Sequence, residues 1–223
     1  MVGATGYYVL FDQPFAAKDN AYQYFAFTGK ETTQFSLYFN QTIGKIYGFG
    51  ELSRDGDGTL GGLGGVFFRM SPGVETLVLV RNFAPEFNSL YGYAFGERAG
   101  ETNNEKGIYT GLKIRLNRNW IASAYFDQFE FPWLRYNIYR PTKGYEALVK
   151  VDYQPRRWLR SYVQFKTETK EEATKIAIGR NQLLPGVAPQ NRQTARLHLE
   201  YDFSKTLRTR TRLDVSHYQF ENE

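Results

Sequence analysis

The chain has 223 residues, enough for one domain with a substantial core, and its 28 basic against 23 acidic side chains give a modest +5 that points to no particular partner. It holds no cysteine, which excludes disulfides, thiolate nucleophiles and cysteine metal sites. Mean hydropathy is −0.52 and no apolar run reaches the roughly 18 residues of a membrane helix, yet 17% aromatic content and 21 glycines suit strands, turns and aromatic belts.

In chain order the apolar period is two throughout, and no window sustains a helical stripe. Strands are predicted at 4–12, 33–41, 43–53, 62–70 and 74–83. The aromatic segment Tyr22 to Phe27 is assigned to a structured loop, because a strand there would break the rhythm of the connections. Strands 107–117 and 119–129 form a hairpin in which Thr110, Leu112, Ile114 and Leu116 oppose Phe126, Ala124, Ala122 and Trp120. Gly111 then falls opposite Tyr125, an aromatic covering a glycine, and Trp120 beside the turn suits an interface belt. Over 145–166, Tyr153 is expected to face Leu159, so that Asp152 meets Arg160 and Glu146 meets Lys166. The clearest strand is 195–203, where Ala195, Leu197, Leu199, Tyr201 and Phe203 alternate with Arg196, His198, Glu200 and Asp202. Strand 206–219 answers it. Setting Phe203 against Leu207 brings Asp202 to Arg208, Glu200 to Arg210 and Arg196 to Asp214, three complementary pairs from a register chosen by apolar residues alone.

Connections alternate in length. Tight turns are read at Gln41-Thr42, Ser71-Pro72-Gly73, Asn117-Arg118-Asn119, Gln154-Pro155-Arg156 and Ser204-Lys205-Thr206, and long ones at 13–32, 54–61, 84–106, 130–144 and 168–192. This is the rhythm of an antiparallel transmembrane β-barrel, whose strands need about 9–11 residues and whose turns are short on one side only. The expected fold is all-β, a single barrel domain or barrel section over 1–223. About eleven strands is an odd number; Met1 leads into no secretion signal, and the end at Glu223 lacks a terminal aromatic. A section of a larger barrel is expected.

Chemical motifs are sparse. His198 and His217 sit on strands with no ligand-spaced partner; Glu101, Glu105, Asp127 and Glu130 define no converging pair. Ser89 and Ser123 lack a nucleophile context, and Gly61-Gly62-Leu63-Gly64-Gly65 lacks the Lys-Ser/Thr of a phosphate loop and reads as a strand start with close backbone approach. No catalytic, cofactor-binding or metal residue is assigned. The candidate sites are a basic ladder on a lumen wall, Arg208, Arg210 and Arg212, neutralised by acidic neighbours, and an external loop platform of Phe87, Tyr91, Tyr93, Phe95, Phe131 and Trp133.

Three stretches carry a resemblance: Glu86-Phe87-Asn88-Ser89-Leu90-Tyr91-Gly92-Tyr93-Ala94-Phe95, then Asn103-Asn104-Glu105-Lys106-Gly107-Ile108-Tyr109-Thr110-Gly111-Leu112, and Ala124 to Tyr136 with its Phe131-Pro132-Trp133-Leu134. Together they resemble the barrel region of Bacteroidota helix-hairpin-helix, competence-related outer-membrane proteins. The resemblance implies a Gram-negative outer membrane and a link to DNA uptake, with DNA contacted through helix-hairpin-helix parts that this chain lacks. The reading is a non-enzymatic, porin-like barrel in contact with membrane lipid, a channel or surface scaffold with protein partners at its outer loops. The alternative is a soluble or surface-attached β-sheet protein that binds polysaccharide or protein. A continuous outward apolar band favours the first, a two-sheet core the second.

Overall fold

The computed structural model describes residues 1–98, 102–178 and 182–220. They form one antiparallel sheet of eleven strands in sequence order: β1 (Val2–Phe15), β2 (Gly29–Ile43), β3 (Ile46–Asp55), β4 (Leu60–Ser71), β5 (Val74–Phe83), β6 (Glu105–Arg115), β7 (Trp120–Phe131), β8 (Thr142–Arg156), β9 (Leu159–Ile178), β10 (Gln182–Asp202) and β11 (Arg208–Phe220). Each strand pairs only with its sequence neighbours, and β1 does not pair with β11, so the sheet is open. The Tyr22 segment is a loop, carrying a single 3-10 turn at Ala21–Gln23.

Two hairpins have the expected register. Thr110 faces Phe126 and Leu112 faces Ala124, while Asp202, Glu200 and Arg196 face Arg208, Arg210 and Asp214. Side-chain caps fix these turns: Asn117 Oδ1 accepts from the amides of Asn119 (2.9 Å) and Trp120 (3.1 Å), and Ser204 Oγ from those of Thr206 (3.2 Å) and Leu207 (3.0 Å). Gly111 does oppose Tyr125, but the ring nearest its backbone belongs to Tyr109, stacked on Tyr125 at 5.3 Å.

Three expectations are corrected. The β2–β3 turn lies at Gly44-Lys45, not at Gln41-Thr42, because a two-residue hairpin turn needs left-handed backbone and Gly44 supplies it at φ 60°. The β8–β9 turn moves from Gln154-Pro155-Arg156 to Arg157-Trp158. A register irregularity between Tyr153 and Arg156 accommodates Pro155, which has no N–H to donate, and the strand runs on. Tyr153 therefore faces Ser161, and Asp152 pairs with Lys150 (2.7 Å) instead of Arg160, although Lys166 still reaches Glu146 (2.7 Å) on the diagonal. Finally, 168–192 is not a long loop. β9 and β10 continue as a paired ladder to Ile178 and from Gln182; the largely polar run 168–175 on β9 and the proline- and glycine-containing 185–189 on β10 lack the apolar alternation that marks a strand in sequence.

The two faces of the sheet differ sharply. One carries Leu37 and Phe39 (β2), Leu52 (β3), Val78 and Val80 (β5), Ile108 and Leu112 (β6), Phe126 (β7), Val149 (β8), Val163 and Phe165 (β9), Leu197 and Leu199 (β10), and Leu213 and Val215 (β11), all exposed. The other carries the ionic residues and the buried side chains. The loop after β5 lies on this second face: the Leu90 amide donates to Tyr7 Oη in β1 (3.1 Å), and Glu97 meets Lys170 in β9. The loop thus spans this ionic side of the sheet from β1 to β9, and the side it covers is the inner face.

Candidate functional site

The inner face is organised around Arg81, which is fully buried on β5. Its Nε donates to Glu105 Oε1 of β6 (2.6 Å), and its Nη1 and Nη2 donate to Asp127 Oδ1 and Oδ2 of β7 (2.8 and 3.2 Å). Register explains the convergence. Arg81 faces Gly107, and a Cβ on Gly107 would sit 2.5 Å from the guanidinium carbon, so the glycine makes the bed in which the cation lies. The Phe95 ring covers Arg81 at 5.3 Å. Two of the carboxylates that sequence left unpaired are thus one ion triad, and their partner was missed because Arg81 looks like an ordinary polar position on an alternating strand.

Glu105 also ties down the loop after β5. It accepts from the Glu97 amide (2.8 and 3.0 Å) and, at 3.4 Å, from that of Arg98. Glu97 in turn meets Lys170, which bonds Glu168 (2.6 Å); Lys166 joins Glu168 (3.1 Å) to Glu146, and Tyr125 donates to Glu146. Burial holds the Glu97 carboxyl above the usual range, against the opposing pull of Lys170. The patch sets Glu97, Glu105, Asp127, Glu146 and Glu168 against Arg81, Lys166 and Lys170, an excess of negative charge.

The same loop is pinned elsewhere by Asp55, which accepts from the amides of Thr59 (2.8 Å) and Asn88 (2.9 Å), and by Ser89, which donates to Gln34 (2.8 Å). Phe87 packs on Gly61, where a Cβ would stand 2.6 Å from the ring. The glycine run serves close approach, as read from sequence.

The predicted loop platform divides. Phe87 and Phe131 are buried, the first against Gly61 and the second beside Phe129 and beneath Arg135, so neither presents a surface. Tyr91, Tyr93 and Phe95 are exposed. Trp133 stands apart from them, packed on Phe25 and donating its indole N–H to Ala21 O (3.1 Å). The loops 84–106 and 130–144 do meet: Asn104, at φ 51°, accepts from the Trp133 amide (2.7 Å) and donates to Trp133 O (3.2 Å).

The arginine ladder lies on the inner face with its acidic partners: Arg208 to Asp202 (2.5 Å), Arg210 to Glu200 (3.0 Å) and Arg212 to Asp214 (3.3 Å). His198 stacks on Tyr162 at 4.8 Å. Glu101 lies outside the described residues.

No protein family, curated protein or solved structure matches this chain.

Proposed function

We propose that the chain is a wall of a transmembrane β-barrel in a bacterial outer membrane, acting as a channel or surface scaffold whose mouth is filled by the loop after β5. The observation that carries this reading is the unbroken exposed apolar face from β2 to β11, backed by an ionic inner face. A soluble sheet would cover such a face with a second sheet or with helices. The described residues contain one sheet and a single 3-10 turn, and nothing packs on the apolar side. That counts against a soluble binding protein.

The aromatic residues support the same reading. Near the short turns Trp120 stacks on Tyr153 (4.3 Å) and Trp158 meets Tyr201 (5.2 Å); toward the loops Phe126 stacks on Tyr145 (6.0 Å). Tyr145 and Tyr153 are eight residues apart on β8, about 27 Å along the strand, and a strand tilt of roughly 40° brings that near the height of a barrel's apolar band.

DNA uptake, suggested by the family resemblance, is the more specific version, with DNA contacted outside this chain. The acid-rich patch around Arg81 is electrostatically unfavourable for a polyanion, and the arginine ladder is already ion-paired, so the geometry favours a scaffold or small-solute channel over DNA passage along this wall. Cysteine labelling tests the face assignment. Leu199→Cys in intact membranes should resist a membrane-impermeant reagent that modifies Arg210→Cys, and the folded chain should migrate faster in a gel before boiling than after. Equal labelling of the two sites would overturn the reading.

A further inference from the structure

Among the described residues β8 accompanies β9 only as far as Lys170, and β11 accompanies β10 only as far as Gln190. Beyond those points 171–178 and 182–189 pair with each other alone, a two-stranded ribbon about 26 Å long at 3.3 Å per residue. An open ribbon edge is a template for another strand, and proteins commonly blunt the edges they leave free. The two edges of this ribbon are treated differently.

The direction of each backbone group follows from the register. At the foot of the β9–β10 ladder the Asp202 amide donates to Trp158 O (2.8 Å), so the even-numbered residues of the two strands exchange the ladder bonds. Odd-numbered residues turn N–H and C=O to the far sides. On β10 these include Pro185 and Pro189, which have no N–H, and Val187, whose carbonyl already accepts from Arg140 Nη2 (3.3 Å). That edge is closed to a further strand.

The β9 edge is closed only at its base, where Glu171 O accepts from Arg135 Nη2 (2.8 Å). Above it Ala173, Lys175 and Ala177 present N–H and C=O outward with no partner among the described residues, and Ala173 and Lys175 are exposed. A cleft of about 520 Å³ lies alongside, between Ala173 and Lys175 and the loop residues Asn137 and Tyr139.

We propose that the β9 edge at 173–177 is a strand-addition site for an extended segment of another protein, one carrying a carboxylate side chain in register with Lys175. Three outward residues offer a strand alternate donors and acceptors, the main-chain contacts on which such recognition rests. Charge selects the segment. Glu171 and Glu172 are committed to Arg140 (3.2 Å) and Arg135 (3.6 Å), whereas Lys175 and Lys143 have no carboxylate partner among the described residues. A second copy of the chain fits worse. Two β9 edges centred on this stretch would oppose Lys175 to Lys175, and β9 laid against a copy's β10 would meet Pro185 and Pro189. The inference concerns the ribbon alone and does not depend on whether the sheet spans a membrane.

The test is titration of the nitrogen-15-labelled, detergent-folded chain with the heptapeptide Thr-Val-Thr-Glu-Thr-Val-Thr, followed by amide chemical shifts and hydrogen exchange. Saturable shifts and slowed exchange are expected at Ala173, Lys175 and Ala177. Replacing the peptide's Glu by Lys should weaken binding roughly fivefold, and Lys175→Glu should reverse that preference. A peptide N-methylated at its Glu and both Val residues, which cannot donate to the edge, should not bind. Ala173→Pro removes one outward donor and keeps the ladder to β10; it should weaken binding by roughly tenfold with the β-sheet spectrum unchanged. Absence of saturable shifts at these amides, binding that survives N-methylation or Ala173→Pro, or a parent chain that dimerises through this edge overturns the assignment. A failed Leu199 labelling result would remove the membrane reading and leave this one standing.

Discussion

Replacing Arg81 by methionine tests whether one buried cation anchors the inner face. The substitution keeps an unbranched side chain of similar length but strands two carboxylates. Glu105 retains the amides of Glu97 and Arg98, whereas Asp127 loses both bonds from Arg81. Removing one partner of a buried ion pair costs about 3–5 kcal/mol, and here most of the cost falls on Asp127. With a guanidinium m-value of roughly 4 kcal/mol per molar, the unfolding midpoint of the detergent-folded chain should fall by about 1 M. Tryptophan fluorescence can follow it through Trp120, Trp133 and Trp158. The loop should also loosen, so trypsin should cut after Arg98 faster than in the parent. Arg81→Met/Asp127→Leu should recover most of the loss, because replacing both partners by apolar groups leaves one fewer buried charge. A midpoint shift under about 0.2 M in the single variant, with loop protection intact, would refute the anchoring role.

Gly107→Val should act on the same triad by displacing the guanidinium, costing about 1–3 kcal/mol in the same unfolding assay, while Gly6→Val, on the outward apolar face of β1 where an added Cβ meets only ordinary contacts, should cost less. Leu199→Arg should destabilise the folded chain by about 2–4 kcal/mol in bilayers if Leu199 lies near the midplane, measured by reversible folding into vesicles. Neutralising Arg208, Arg210 and Arg212 together should lower heat stability more than any transport activity, since each already has a carboxylate partner; a large transport defect at unchanged stability would make the ladder a binding surface. The pKa of Glu97 is raised in the docked loop, so docking is strongest below the ordinary glutamate range and weakens as pH rises through the docked value. A fluorophore on Tyr93→Cys should gain mobility along that rise, and Glu97→Gln should flatten the profile.

What sequence alone determined is the part of the fold written with a period of two. In 195–203 and 206–219 the apolar residues on one face forced the register, and complementary charges followed on the other, because a one-residue slip would exchange the faces. The 107–129 hairpin was legible for the same reason, with Asn117 marking its turn. Where that pattern fades the reading failed: beyond Thr167 the β9–β10 ladder runs through a largely polar stretch at 168–175 and through Pro185, Gly186 and Pro189, and the bulge at Pro155 moved a register by two residues. Only tertiary structure could decide the inner face. Glu105 and Asp127 are 24 and 46 positions from Arg81 along the chain, and their meeting depends on two registers and on a glycine that leaves room for a guanidinium. The fate of the aromatic loop was likewise unwritten, since Phe87 and Tyr93 look alike in sequence. One is buried against Gly61, whose missing Cβ leaves room for the ring, and the other faces solvent.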